Sequence, residues 1–221
     1  MATLWKFISS SVGTKVILAV SGLCLFGFLI VHLAGNLLIF LGPEALNGWG
    51  HMLISNPLVI PAEIGLLLIF LIHVTKATIN WWENRQARPA DYAKRRWAGH
   101  TSRKTVSSAT MIFTGAVILA FVAWHVTTFK FGPNYPAAEP GVRDLDRLVV
   151  EAFKQPLVAF AYTVVMVLIG LHLRHGIASA FQSLGADGPR FTAWILKAGL
   201  VLAVIMGGAY ALIPIWVYFL R

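Results

Sequence analysis

The chain of 221 residues holds a single cysteine, Cys24, and only nine acidic residues. One thiol excludes an internal disulfide framework, and no C-x-x-C-H run is present for covalent haem attachment. A lone cysteine also cannot hold an iron–sulfur cluster, and no glycine-rich dinucleotide fingerprint offers a site for FAD. Charge of either sign is scarce: Asp, Glu, Lys and Arg make up 12% of the chain, against about 25% in a typical soluble domain. A compact soluble domain of this size could not cover itself with so few charges, so a soluble enzyme is excluded. Apolar residues of the AVILMFWYC set fill 57% of the chain instead, and the mean hydropathy is +0.72. The 18 Lys and Arg leave a formal net charge of +9. In a membrane chain, topology explains such a surplus better than nucleic acid binding does, and no nucleic acid partner is expected.

A hydrocarbon core of roughly 30 Å needs about 20 apolar residues in helix. Five segments meet that need, over about 14–41, 58–82, 105–129, 156–181 and 191–219. The breaks between them carry turn chemistry at Gly42-Pro43, Asn56-Pro57, Arg88-Pro89, Gly132-Pro133 and Gly188-Pro189. The first segment follows Lys6 and Lys15 but is too long for a signal core and ends without a small-x-small site, so it is expected to be retained. The fold class expected is an all-α integral membrane protein, a single membrane domain over 1–221 whose first four spans form the working bundle. A short surface helix is expected near Arg143–Arg147.

The basic residues orient the chain. Lys6, Lys15, Lys76, Arg85, Arg88, Lys94, Arg95, Arg96, Arg103, Lys104, Arg174, Arg190 and Lys197 lie on the side of the N-terminus and the second and fourth connections. Lys130, Arg143, Arg147, Lys154 and Arg221 lie on the other side, with Glu44, Glu63, Glu139, Asp144, Asp146 and Glu151. The positive-inside rule then predicts a cytoplasmic N-terminus and an external Arg221, in the inner (plasma) membrane of a cell. An odd number of spans demands the same split.

Of the seven histidines, His51 and His100 fall in connections, whereas His32, His73, His125, His172 and His175 fall inside four different spans. Ionisable residues there are costly and usually functional. At about 1.5 Å of rise per residue, His32 lies roughly 25 Å beyond Lys15 and His125 roughly 31 Å beyond Lys104, both in the outer half. His73 and His172 each follow a span-opening proline, Pro57 and Pro156, by 16 residues, which places them about 24 Å below the outer boundary. Four helices thus supply imidazole pairs at two depths. Such pairs suit six-coordinate haem b, held between helices by one axial nitrogen from each side. Zinc would want three or four donors at one point. Gly35, Gly170 and Gly176 beside the histidines would leave room for ring edges, and Arg174 and Lys76 near the inner pair could answer propionates. His172 and His175 stand about 60° apart on the helical wheel; spacing leaves both open as ligands.

These residues lie in a recognisable order. Gly13-Thr14-Lys15, Ser21-Gly22-Leu23, His32-Leu33-Ala34-Gly35-Asn36-Leu37 and Glu44-Ala45-Leu46-Asn47 are followed by Arg88-Pro89 with Tyr92 and by Thr101-Ser102-Arg103-Lys104. Gly115, His125, Gly170-Leu171-His172-Leu173-Arg174-His175-Gly176 and Ala180-Phe181-Gln182-Ser183-Leu184-Gly185 complete the series. Over about residues 10–190 the chain resembles the cytochrome b membrane subunit of succinate:quinone oxidoreductases (succinate dehydrogenase or fumarate reductase), in its single-chain, five-helix, di-haem form. The resemblance implies two haem b groups, an outer one on His32 and His125 and an inner one on His73 and His172, the last chosen over His175 because it precedes Gly176 by four residues. It implies electron transfer to or from a membrane quinone, menaquinone or ubiquinone, in a complex with a flavoprotein subunit and an iron–sulfur subunit. These would dock on the cytoplasmic face, at the basic stretch Arg85–Lys104. Whether that complex forms a higher oligomer is left open.

A quinone needs an apolar slot, polar contacts at its carbonyls and a group that exchanges protons. Glu63, the acidic residue set within a span near the outer pair, is the expected proton exchanger; a site at the inner pair using Ser21, His100 or Lys15 competes with it. Two other functions stay open at this point: the cytochrome b subunit of a formate dehydrogenase or hydrogenase, and a haem or ion transporter.

Overall fold

The computed structural model describes residues 2–87, 106–186, 188 and 191–221, and these form helices joined by short turns. Backbone polar groups have no water to bond to within lipid, so each span satisfies them internally as helix. α1 (Ala2–Ser9) leads into α2 (Ser11–Asn36), a 3-10 turn (Leu37–Leu41) and α3 (Pro43–Ile54). α4 (Val59–Gln86), α5 (Val106–Ala109) and α6 (Met111–Phe129) follow, then α7 (Leu145–Phe153), α8 (Pro156–Ser183) and α9 (Thr192–Leu220). Five stretches are long and apolar enough to cross a membrane: Ser11–Leu41, Val59–Gln86, Met111–Phe129, Pro156–Ser183 and Thr192–Leu220. They match the five expected spans; the start of the third expected span, up to residue 105, lies outside the described residues. The helix expected near Arg143–Arg147 is α7. Two further helices, α1 and α3, occupy what the sequence reads as an N-terminal segment and a plain connection.

Local chemistry sets the corners. Ser10 caps α2 by accepting from the Gly13 amide at 2.9 Å. A Cβ on Gly13 would fall 1.8 Å from the Phe7 carbonyl oxygen, so only glycine lets α1 fold back on α2. Gly42 takes a φ of 105° between the 3-10 turn and α3, a left-handed conformation that favours glycine, and Pro43 opens the next helix.

The four histidine-bearing spans form a ring: α2 packs on α4 and α8, α8 on α6, and α4 less extensively on α6. α9 stands outside that ring, packed along α8 and touching α2. Small residues Gly199, Ala203, Gly207 and Ala211 recur every four positions on its buried face, a pattern that brings membrane helices into backbone contact. A Cβ on Gly207 would lie 3.1 Å from the Gly170 Cα and 3.2 Å from the Met166 carbonyl oxygen. Gly170 therefore serves the α8–α9 contact. α4 has no buried residue, as expected of a helix with much of its surface toward lipid.

α3 and α7 cap the end of the bundle that carries Arg221. Buried Asn47 of α3 donates to Asp144 Oδ1 at 2.9 Å and accepts from the Asp146 amide at 3.0 Å, which ties the two helices together. Asp146 receives Arg221 Nη2 at 2.7 Å, anchoring the C-terminal residue to α7; burial pushes this carboxyl up while Arg221 pulls it back. Beside it, the Tyr135 hydroxyl donates to Glu151 at 2.6 Å and Arg147 Nε at 2.8 Å, so the two hold the Glu151 carboxyl below its ordinary range.

Candidate functional site

The ring of spans brings His32 and His125 together, one of the two pairs that depth predicts. At the outer level the His32 ring from α2 and the His125 ring from α6 have centroids 5.7 Å apart, with their planes at 87°. A metal–imidazole bond of about 2 Å on each side puts two ligand-ring centroids on the order of 6 Å apart, so one ion between these rings is compatible with their spacing. Both imidazoles sit among aromatic side chains. Phe28 stacks on His32 at 5.3 Å, while Phe121, Phe129 and Tyr162 surround His125 at 5.5, 5.3 and 6.1 Å. Tyr210 reaches in from α9: its ring lies 6.2 Å from His32, and its hydroxyl donates to the Leu29 carbonyl at 2.7 Å. The fifth span thus braces the turn of α2 that carries His32.

At the inner level each imidazole meets a hydroxyl of the neighbouring helix. His73 Nδ1 lies 3.2 Å from Ser21 Oγ of α2, and His172 Nδ1 lies 3.0 Å from Thr114 Oγ1 of α6. Ser21 is within bonding distance of the Ile17 and Leu18 carbonyls at 2.8 and 3.1 Å. Thr114 is 3.1 Å from the carbonyls of both Thr110 and Met111. A hydroxyl has one hydrogen, and a carbonyl can only accept. Once that hydrogen goes to the helix backbone, the oxygen can only accept from the imidazole. Nδ1 must then carry the proton, which leaves the lone pair on Nε2. This is the arrangement in which a metal-binding histidine is fixed by its outer partner, the free nitrogen being the ligand.

Glycines beside these inner rings are not the ones the sequence singles out. A Cβ on Gly22 would sit 3.1 Å from His73 Cε1, and one on Gly115 would sit 3.6 Å from His172 Cε1. Gly35 instead accommodates Trp49, whose Nε1 would be 2.4 Å from an added Cβ, and Gly170 meets α9. The expectation that Gly35 and Gly170 leave space beside the imidazoles is therefore corrected: both are consumed by packing. Gly176 faces open space.

The remaining candidates are spread more widely. His175 makes no hydrogen bond among the described residues, in contrast to His172. Lys76 directs Nζ to the Ile8 carbonyl at 2.9 Å, closing α1 onto α4 rather than standing free near the inner pair. Arg174 is exposed. Glu63 forms an ion pair with Lys130, both 44% exposed, at the outer ends of α4 and α6. The dipole of α6 favours Lys130, which stands at its C-terminal end. Lys130 follows His125 by five residues, about 7.5 Å along the helix axis. His100 and the basic stretch from 88 to 104 lie outside the described residues.

Sequence reading alone passes over Thr114, Tyr162 and Tyr210. The available signal is a hydroxyl within an apolar span at the depth of a histidine on a neighbouring helix. No three or more His, Cys, Asp or Glu converge among the described residues to form a compact metal cluster; the donors come in twos. Among the described residues the structure establishes five apolar helices long enough to span a membrane, with the His32 and His125 rings in contact between two of them and His73 and His172 each at a hydroxyl of a neighbouring helix. Comparison with known proteins adds nothing to this: no family model, no curated protein and no solved structure matches the chain.

Proposed function

We propose that this chain is the di-haem b membrane subunit of a succinate:quinone oxidoreductase. It anchors a flavoprotein and an iron–sulfur subunit on the side of its N-terminus and links them to membrane quinone. The observation that carries the reading is the contact between the His32 and His125 rings, together with His73 and His172 in two further spans, each with Nδ1 at a hydroxyl of a neighbouring helix. The donor set suits haem: two neutral nitrogens per level, each from a different helix. Haem b held at each level would supply a reversible one-electron carrier.

The chain's own residues do the rest. His32 and His125 would bind one iron from α2 and α6, and His73 and His172 the other from α4 and α8. Ser21 and Thr114 hold the Nδ1 proton of their partners and so keep Nε2 directed as the ligand atom. Phe28, Phe121, Phe129, Tyr162 and Tyr210 keep water away from the outer pair. Glu63 exchanges protons with quinone at the outer end of the ring, with Lys130 as its resting partner.

Purification from the native membrane tests the assignment. The expected result is a low-spin b-type spectrum with two haems per chain, and co-purification of a flavoprotein and an iron–sulfur protein with succinate or fumarate activity. Formate or hydrogen activity in the co-purified complex would move the chain to the cytochrome b subunits of those enzymes, and absence of b-type haem would end both readings. The role of Glu63 is tested by Glu63→Gln. Quinone-linked turnover should fall by about 10²-fold or more, the contribution typical of a positioned proton-transfer group, with both haems retained. Unchanged turnover would remove Glu63 from the mechanism.

A further inference from the structure

In the outer cap, away from the imidazoles, a cavity of about 360 Å³ opens between α3 and the segment leading into α7. That volume lies in the range of small-ligand pockets, roughly 300–1,000 Å³. Its lining includes His51 and Ile54 of α3, with Asn134, Arg143 and Leu145 from the facing segment. Arg143 gives the cavity its charge. Three other cations on this face are neutralised by carboxylates, Lys130 by Glu63, Arg147 by Glu151 and Arg221 by Asp146, while Lys154 donates to the Tyr218 carbonyl at 3.3 Å, away from the cavity. Arg143 meets no carboxylate among the described residues. Its guanidinium donates to the carbonyls of Lys130, Gly132 and Pro133 at 3.3, 3.1 and 2.7 Å, and its Nε has no partner. Those carbonyls end α6 and position the group without cancelling its charge. His51 and Asn134 add polar groups to the lining.

Apolar side chains accompany these groups. Ile54 lines the cavity and is 61% exposed, and Met52, Leu53 and Leu58 beside it are exposed as well. They stand where α3 gives way to α4, at the boundary between the cap and the membrane span. A fixed, uncompensated cation next to exposed apolar side chains at that depth suits an anion attached to hydrocarbon, whereas a free inorganic anion would have no use for the apolar flank. We propose that this cavity binds the headgroup of an anionic phospholipid from the leaflet on the Arg221 side. The phosphate meets Arg143 and His51, and the acyl chains lie along Ile54 and Leu58. This site is independent of the haem reading.

Native mass spectrometry of the full chain, carried in phosphatidylcholine and titrated with phosphatidylglycerol, tests the proposal by the lipid retained. The wild-type chain should retain phosphatidylglycerol in preference to phosphatidylcholine. Arg143→Gln should weaken that retention about fivefold, the equivalent of about 1 kcal/mol for one basic group at an anionic headgroup. Because Arg143 also secures the end of α6, His51→Glu provides a second variant at an exposed position: it leaves those carbonyl contacts intact and sets a carboxylate in the lining of the same cavity, and it should abolish the preference. Lys154→Gln removes the same charge from the same face, away from the cavity, and should change nothing. Equal retention in the wild type and both cavity variants, or an equal loss in the Lys154 variant, would overturn the site in favour of diffuse attraction. Inorganic phosphate that displaces the lipid at millimolar concentration, with the same dependence on Arg143, would overturn the lipid assignment in favour of a free anion.

Discussion

His125→Ala should leave a protein that keeps one b-type haem and loses the other, and His32→Ala should lose the same one. Both imidazoles project into one space, with centroids 5.7 Å apart, and no third His, Cys, Asp or Glu joins them among the described residues: the ring neighbours of His125 are Phe121, Phe129 and Tyr162, and those of His32 are Phe28 and Tyr210. Tyrosine can ligate haem iron, but Tyr210 has committed its hydroxyl hydrogen to Leu29 at 2.7 Å, and Tyr162 lies behind His125, with its hydroxyl 3.5 Å from Nδ1. Removing either ring would therefore leave only one imidazole to hold a haem at this level. Reduced-minus-oxidised spectra and haem content per chain check this. The two variants must lose the same component, and the inner component must keep its spectrum. If His32→Ala removed the haem that His73→Ala removes, the pairing by depth would be wrong, whatever the total haem content.

That pairing was legible because it depends on quantities that a linear sequence carries. Rise per residue, the position of prolines and the sign of the flanking charge locate His32, His73, His125 and His172 along the membrane normal without any tertiary information. The five spans are legible for the same reason. What stayed hidden is lateral. Gly170 reads as a gap beside His172, yet its neighbour is Gly207, 37 positions later, and nothing local to either residue announces which helix the other faces. Lys76 reads as a free inner-boundary charge because α1, whose Ile8 carbonyl it meets, is an eight-residue helix too short to show a dependable period. α3 is likewise short, and its opening Gly42-Pro43 serves equally as a turn signal. Thr114 is one hydroxyl among several in the third span; only the packing of α6 on α8 selects it. The outer cap follows the same rule, since Asn47 and Asp144 are 97 residues apart.

The choice between His172 and His175 shows how the lateral information completes the axial. Spacing permits either residue, because both lie in the inner part of α8 and only one turn separates them. Thr114 distinguishes them: its oxygen lies 3.0 Å from His172 Nδ1, and its hydrogen is drawn to the α6 backbone, so His172 presents Nε2 as a lone pair. His175 has no hydrogen-bonding partner among the described residues that would fix its tautomer. His172→Ala should accordingly lose the inner haem and spare the outer one, while His175→Ala keeps both. Thr114→Val gives a graded version of the same experiment. It preserves shape but removes the acceptor for Nδ1–H, and loss of such an outer partner typically lowers metal affinity by about 10–100-fold. The inner haem should then be retained at high haem concentration and released on dilution or competition with apomyoglobin, with the outer haem unaffected. A Thr114→Val protein that holds its inner haem as tightly as the wild type would mean that His172 does not depend on Thr114. Loss of the inner haem from His175→Ala alone would transfer the ligand role to His175.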